Sequence, residues 1–145
     1  MRSAWLATAL LVCLVPNSGA DAAPVGWYTT DTETVRDTKT GLVWQRGWVD
    51  SMAWDAGTAA CGSLTLGGLT TGWRAPTVKE LLTLVDDQAV NPAVDLQAFP
   101  NTPALHFWTT TADAAGGSAH WAVEFRWGAT SVRTDGESAY TRCVR

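Results

Sequence analysis

The chain has 145 residues, a formal net charge of −4 and 17% charged residues. An acidic surface repels phosphate backbones, which argues against nucleic acid as a partner, and the length leaves room for one core and one domain. Nine tryptophans are its most unusual compositional feature.

Met1-Arg2-Ser3 followed by the apolar run Ala4 to Val15 has the anatomy of a secretory signal peptide. A membrane-crossing helix needs about 20 apolar residues, and Pro16, Asn17 and Ser18 interrupt this run before that length is reached. Residues 1–22 are therefore expected to be cleaved, near Ala20 to Ala23, leaving a domain over residues 24–145 that is secreted, periplasmic or at the cell surface and is not an integral membrane protein. A lipid on Cys13 is the other reading, opposed by the bulky Leu11 and Val12 before it.

Loss of the leader removes Cys13 and leaves Cys61 and Cys143. In an oxidising compartment two cysteines allow one intramolecular disulfide; the alternative is a pair of buried thiols. In the chain-entropy picture such a bond stabilises the fold by roughly 4 to 5 kcal/mol.

In chain order, Val25, Trp27, Tyr28 and Val35 are strand formers. Asp37-Thr38-Lys39-Thr40-Gly41 is a turn, because Asp bonds its own backbone and Gly tolerates positive φ; it leads into a strand over Leu42 to Arg46. A helix is expected from Ser51, as N-cap, to Cys61, with Ala53, Trp54, Ala60 and Cys61 on one side and Gly57 between them. A second helix is signalled by the capping box Thr77-Val78-Lys79-Glu80 and by Val78, Leu81, Leu82 and Val85 at i, i+3, i+4 and i+7. Residues 86–103 are irregular, with turns at Asn91-Pro92 and Pro100-Asn101. Strands follow over Phe107 to Thr111, His120 to Trp127 and Ser131 to Arg133, and Asp135-Gly136 reads as a hairpin turn into Ser138 to Val144. In the His120 strand, Trp121, Val123, Phe125 and Trp127 alternate onto one face. The expected fold is α+β: two helices packed on antiparallel strands, with one disulfide.

Five pieces in this order, T-G-L-V-W-Q-R (40–46), W-R-A-P-T-V-K-E-L-L (73–82), F-W-T-T-T (107–111), W-A-V-E-F (121–125) and Y-T-R-C-V-R (140–145), resemble the DUF1566 or Lcl C-terminal domain family. That family takes its name from the carboxy-terminal domain of a bacterial collagen-like adhesin. The resemblance implies a C-type-lectin-like fold, related in architecture to formylglycine-generating enzymes, in an exported bacterial protein. It also implies adhesion, since the adhesin's domain binds sulfated glycosaminoglycans. Ala75 stands where the family commonly has Leu, and this chain has no collagen-like repeat.

Aromatic residues at strand or helix spacing are mostly core, the expectation for Trp44, Trp54, Trp73, Trp108 and Trp121. Trp48 and Trp127 adjoin a glycine or a turn and are the surface candidates. With His106 and Arg126 they form the candidate ligand-binding set, on a surface centred on the 86–106 loop. The loop gathers Asp86, Asp87, Asn91, Asp95 and Asn101, hard oxygen ligands that suit Ca²⁺; the alternative is turn carboxylates facing water. The sugar-reading Glu-Pro-Asn and Gln-Pro-Asp triplets of calcium lectins are absent, and no other cofactor is implied.

Catalysis is not expected. Oxidative cysteine chemistry needs a free thiolate, no nucleophile elbow or H-E-x-x-H pattern is present, and His106 and His120 stand alone on strands. The expected function is a non-catalytic binding module for a glycan or a cell-surface protein, with an envelope-assembly subunit that has no small ligand as the alternative.

Overall fold

The computed structural model describes residues 26–145. The expected leader over residues 1–22, with Cys13, and Val25 lie outside the described residues. The elements are β1 (Tyr28–Thr30), β2 (Thr34–Asp37), β3 (Val43–Gln45), β4 (Val49–Met52), α1 (Trp54–Gly62), α2 (Val78–Leu82), β5 (His106–Ala112), β6 (Ala119–Glu124), β7 (Ala129–Thr134) and β8 (Ala139–Thr141). They build a three-stranded sheet, β1-β2-β3, and a five-stranded sheet in the order β4-β8-β5-β6-β7. With two short helices on these sheets, the class is α+β, compatible with a C-type-lectin-like architecture.

Local chemistry places several elements where the sequence predicts them. The Asp37 carboxylate accepts from Lys39 N at 2.7 Å and Thr40 N at 3.2 Å, and Gly41 sits at φ 77° to turn the chain from β2 into β3. At α2, Thr77 Oγ1 accepts from Glu80 N at 3.2 Å while the Glu80 carboxylate accepts from Thr77 N at 2.8 Å, the complete capping box.

Three expectations are corrected. The first helix begins at Trp54, not Ser51, and its N-cap Ala53 makes no side-chain bond; Ser51 instead lies in β4. Pairing of Val49 with Thr141 and of Met52 with Ala139 claims that segment for the sheet, so a long-range ladder overrides the local cap. The Asp135-Gly136 turn forms, with Glu137 N donating to Thr134 O at 2.9 Å, but it does not make a hairpin. Strand β8 crosses to lie between β4 and β5, parallel to β5, because its continuation is drawn to β3: Gln45 N donates to Cys143 O and Val43 N to Arg145 O, both at 2.9 Å. The five-stranded sheet is therefore mixed. Finally, β6 ends at Glu124, and a turn closed by Gly128 N to Glu124 O at 2.9 Å lifts Trp127 off the predicted strand face.

The main core gathers Val35, Trp44, Leu81, Phe99, Phe107, Val123, Phe125 and Val144. A second cluster surrounds Cys61, Trp73, Ala75 and Cys143. Of the tryptophans assigned to the core, Trp44, Trp73 and Trp108 are buried, and Trp54 and Trp121 are half-buried at its margins. The Cys61–Cys143 disulfide is formed, with its Cα atoms 5.5 Å apart, and joins α1 to the C-terminal segment across 82 positions. Gly57 makes this docking possible: a Cβ there would lie 2.7 Å from Thr141 Oγ1 and 3.5 Å from Trp108 Cδ1.

Candidate functional site

The long loop between α2 and β5 is irregular but closely held. Phe99, Ala98, Val94 and Ala93 are buried beneath it, and two arginines bind it from positions just after β3 and β8. Arg46 donates through Nε to Ala98 O at 3.2 Å and through Nη1 to Asp31 O at 2.9 Å. Arg142 is fully buried, with its guanidinium 4.6 Å from the Phe99 ring centre and 5.5 Å from that of Phe107. Its Nε donates to Gly47 O at 3.1 Å and its Nη2 to Thr102 Oγ1 at 2.8 Å, while Nη1 has no partner among the described residues. Burial without a carboxylate partner lowers its pKa to about 9. Arg142 thus joins the β3–β4 connection to both ends of the Phe99–Thr102 stretch.

The loop's outer edge is stitched to the segment after β6. Asn91 N donates to Arg126 O at 2.9 Å, Ala93 N to Phe125 O at 2.6 Å, and Phe125 N to Leu105 O at 3.0 Å. Gly128, at φ 74°, has no room for a Cβ because Val85 occupies that space. These bonds join the segments that carry Val90, Leu96, Leu105 and Trp127, four of the seven large apolar side chains exposed among the described residues. Trp127 is 61% exposed, and the Arg126 guanidinium lies 5.4 Å from its ring centre. Beside them is a cleft of about 290 Å³ between Val90, Asn91, Pro92, Asp95 and Leu96. An exposed indole with a cation over one face, and a small cleft nearby, can receive the C–H face of a sugar or an apolar side chain.

The structure sorts the predicted residues. Arg126 and Trp127 stand together beside the loop. Trp48 does not join them; it is half-buried and packs against the main core, so its neighbouring glycine did not make it a surface ring. His106 faces Glu124 across β5–β6. Burial, and then the charge of Arg133, hold its imidazole below the ordinary histidine value.

The candidate calcium ligands are not drawn together. Asp86 Oδ1 accepts from Gln88 N at 2.7 Å, and Asp95 Oδ1 accepts from Gln97 N at 2.8 Å and Ala98 N at 3.3 Å. These carboxylates cap their own loop backbone, while Asp87 and Asn91 are exposed. Among the described residues no group of three or more His, Cys, Asp or Glu is placed to hold a metal ion, and Asp86 Oδ2 is buried without a hydrogen-bond partner.

Two constellations escape sequence reading. Arg142 is one. The other is His120, which stacks on Trp54 with ring centres 3.7 Å apart and planes 9° apart, its Nδ1 2.7 Å from Asp135 Oδ1. Trp54 is itself fixed, its Nε1 donating to Thr109 O at 2.9 Å and its backbone N to Asp135 O at 3.0 Å. Cys61 and Cys143 are joined in the disulfide, so neither offers a free thiol beside the His120–Asp135 pair. The pair docks the start of α1 onto the β7–β8 turn. No local pattern announces it, because Trp54 and His120 are far apart in sequence.

The model of the Lcl C-terminal domain matches residues 33–145 of the chain. No curated protein matches it.

Proposed function

Because the chain belongs to the Lcl C-terminal domain family, we propose that it is an exported, non-catalytic binding module that recognises a glycan through the surface formed by the 89–97 loop and Arg126-Trp127. The observation that carries this reading is a largely exposed indole beside a guanidinium, on a turn hydrogen-bonded to a loop that buried anchors hold in place. A surface fixed before binding loses little conformational entropy on association, which favours recognition. Export is supported by the leader-like first residues and by a disulfide, a bond that persists in oxidising compartments. No helix among the described residues is long and apolar enough to cross a membrane.

A protein partner is the second reading, favoured by the exposed apolar side chains of Val90 and Leu96 at the same cleft. A glycan array probed with the disulfide-bonded domain, with and without Ca²⁺, tests the first. Binding that disappears in Trp127→Ala and is indifferent to Ca²⁺ is the expected result. No binder at high protein concentration would leave only the protein-partner reading, to be pursued by co-purification from the envelope fraction.

A further inference from the structure

The three-stranded sheet carries a second concave surface, remote in the chain from the 89–97 loop. Strand pairing places Thr29, Arg36 and Val43 in one row across β1, β2 and β3. Val35 and Trp44, their sequence neighbours, are fully buried in the main core, so alternation turns the row to the opposite face. Over that face stands the turn Leu66-Gly67-Gly68-Leu69, closed by Leu66 N to Leu69 O at 3.2 Å and Leu69 N to Leu66 O at 2.9 Å. Gly67 and Gly68 have φ of 56° and 74°, the conformation of a two-residue turn that glycine adopts without strain. Gly67 N donates to Glu33 Oε2 at 2.8 Å, and a Cβ on Gly67 would lie 3.1 Å from Thr34 Cγ2. The turn is thus fixed close against the sheet, and the two enclose a cleft of about 280 Å³.

The polar groups of this cleft fall into two kinds. Asp31 is spent on its own turn, Oδ1 accepting from Glu33 N at 2.8 Å and Thr34 N at 2.7 Å, and Oδ2 from Thr34 Oγ1 at 2.7 Å. Thr29, Thr30 and Arg36 are exposed and have no side-chain hydrogen bond or ion pair among the described residues. Arg74 and Arg133, by contrast, pair with Glu80 and Glu137. In a chain of net charge −4, Arg36 is a cation without an ion-pair partner among the described residues, directly across from the open Thr29 hydroxyl. Val43 and Leu69 supply an aliphatic wall.

We propose that this cleft binds a small hydroxylated carboxylate, of the size and chemistry of a single sugar acid. Arg36 holds the carboxylate through its planar fork, which matches the two carboxylate oxygens. The Thr29 hydroxyl meets those of the ligand, and the aliphatic wall covers its C–H face. The volume lies near the lower bound of ligand sites, about 300 Å³, which sizes the cleft for one ring.

The test is a titration of the ¹⁵N-labelled, disulfide-bonded protein with sodium glucuronate, with glucose and sodium acetate as separate arms, followed at backbone amides and arginine Nε–H. The expected result is saturable shifts at Thr29, Arg36, Gly67 and Leu69 with glucuronate, and much weaker binding of either partial ligand. Arg36→Gln should weaken glucuronate binding about tenfold or more, as loss of a charge-assisted pair requires. Arg36→Lys should lose most of the affinity as well, since the ammonium keeps the charge without the fork. The tryptophan near-UV spectrum of both variants checks that the fold is intact. Three outcomes overturn the proposal: no saturable shift, acetate binding as tightly as glucuronate, or affinity undiminished in Arg36→Gln. Shifts confined to Arg126 and Trp127 would also overturn it while favouring the loop surface, so the two sites fail separately.

Discussion

Helix α1 and the 86–103 loop are secured in opposite ways. The helix is regular, lies against β4, β8 and β5 through Gly57, and is tied covalently to the C-terminal segment by Cys61–Cys143. The loop has little regular structure, yet it carries Phe99 into the main core and is held by Arg46 and Arg142, which follow β3 and β8. Regularity and order are thus separable here. The loop is kept in one conformation by a few buried, long-range contacts, so the proposed binding surface depends on single residues to a degree that α1 does not.

The largest effect should come from Phe99→Ala. Truncation of a buried phenylalanine costs about 3–5 kcal/mol, and this one also removes the ring over which Arg142 lies. Denaturant unfolding measures the loss; a cost under about 1 kcal/mol would mean that the loop is a surface appendage and the comparison fails. Replacing both Cys61 and Cys143 by Ala should cost about 2–5 kcal/mol while hydrogen exchange in the 89–97 loop stays slow in the folded state. Faster exchange there would show that the two regions depend on each other.

Gly57→Ala sets two effects in opposition. Alanine favours a helix by about 1 kcal/mol, but its Cβ would press on Thr141 Oγ1, and overpacking typically costs about 1–3 kcal/mol. A net destabilisation in thermal unfolding is expected, and a stabilised protein would show that α1 can shift freely on the sheet.

The smallest effect is at the α2 cap. Hydrogen bonds from Arg74, and then from Thr77, lower the Glu80 pKa from 4.5 to about 2. A carboxyl depressed in the folded state contributes stability that is complete above its unfolded pKa and lost as pH falls toward the folded one. That window runs from about 4.5 down to about 2, and because Arg74 is exposed the contribution is small, under about 1 kcal/mol. Glu80→Gln should flatten the acid limb of a stability–pH curve in that window and leave the rest unchanged.

The sequence was most legible where a structure is decided within a few residues. Thr77 to Glu80 contains its whole capping box, Asp37 to Gly41 its whole turn, and two cysteines allowed only one pair. Trp127 was recognisable as exposed because Gly128 ends the strand pattern beside it. Ser51 misled, because the residues that claim β4 lie at 139–141, outside any local window. Trp48 misled for a similar reason: an adjoining glycine says nothing about a core built from distant strands. Arg142 could not be read as buried, since its stacking partners Phe99 and Phe107 and its acceptors at Gly47 and Thr102 are brought to it only by the finished topology.

On the proposed reading, recognition takes place on the clamped 89–97 loop and the Arg126-Trp127 turn. Hydrogen–deuterium exchange of the protein bound to its best array ligand tests it most directly. Added protection is predicted within residues 89–97 and 125–128, and protection confined to other segments, with these unchanged, would contradict the account.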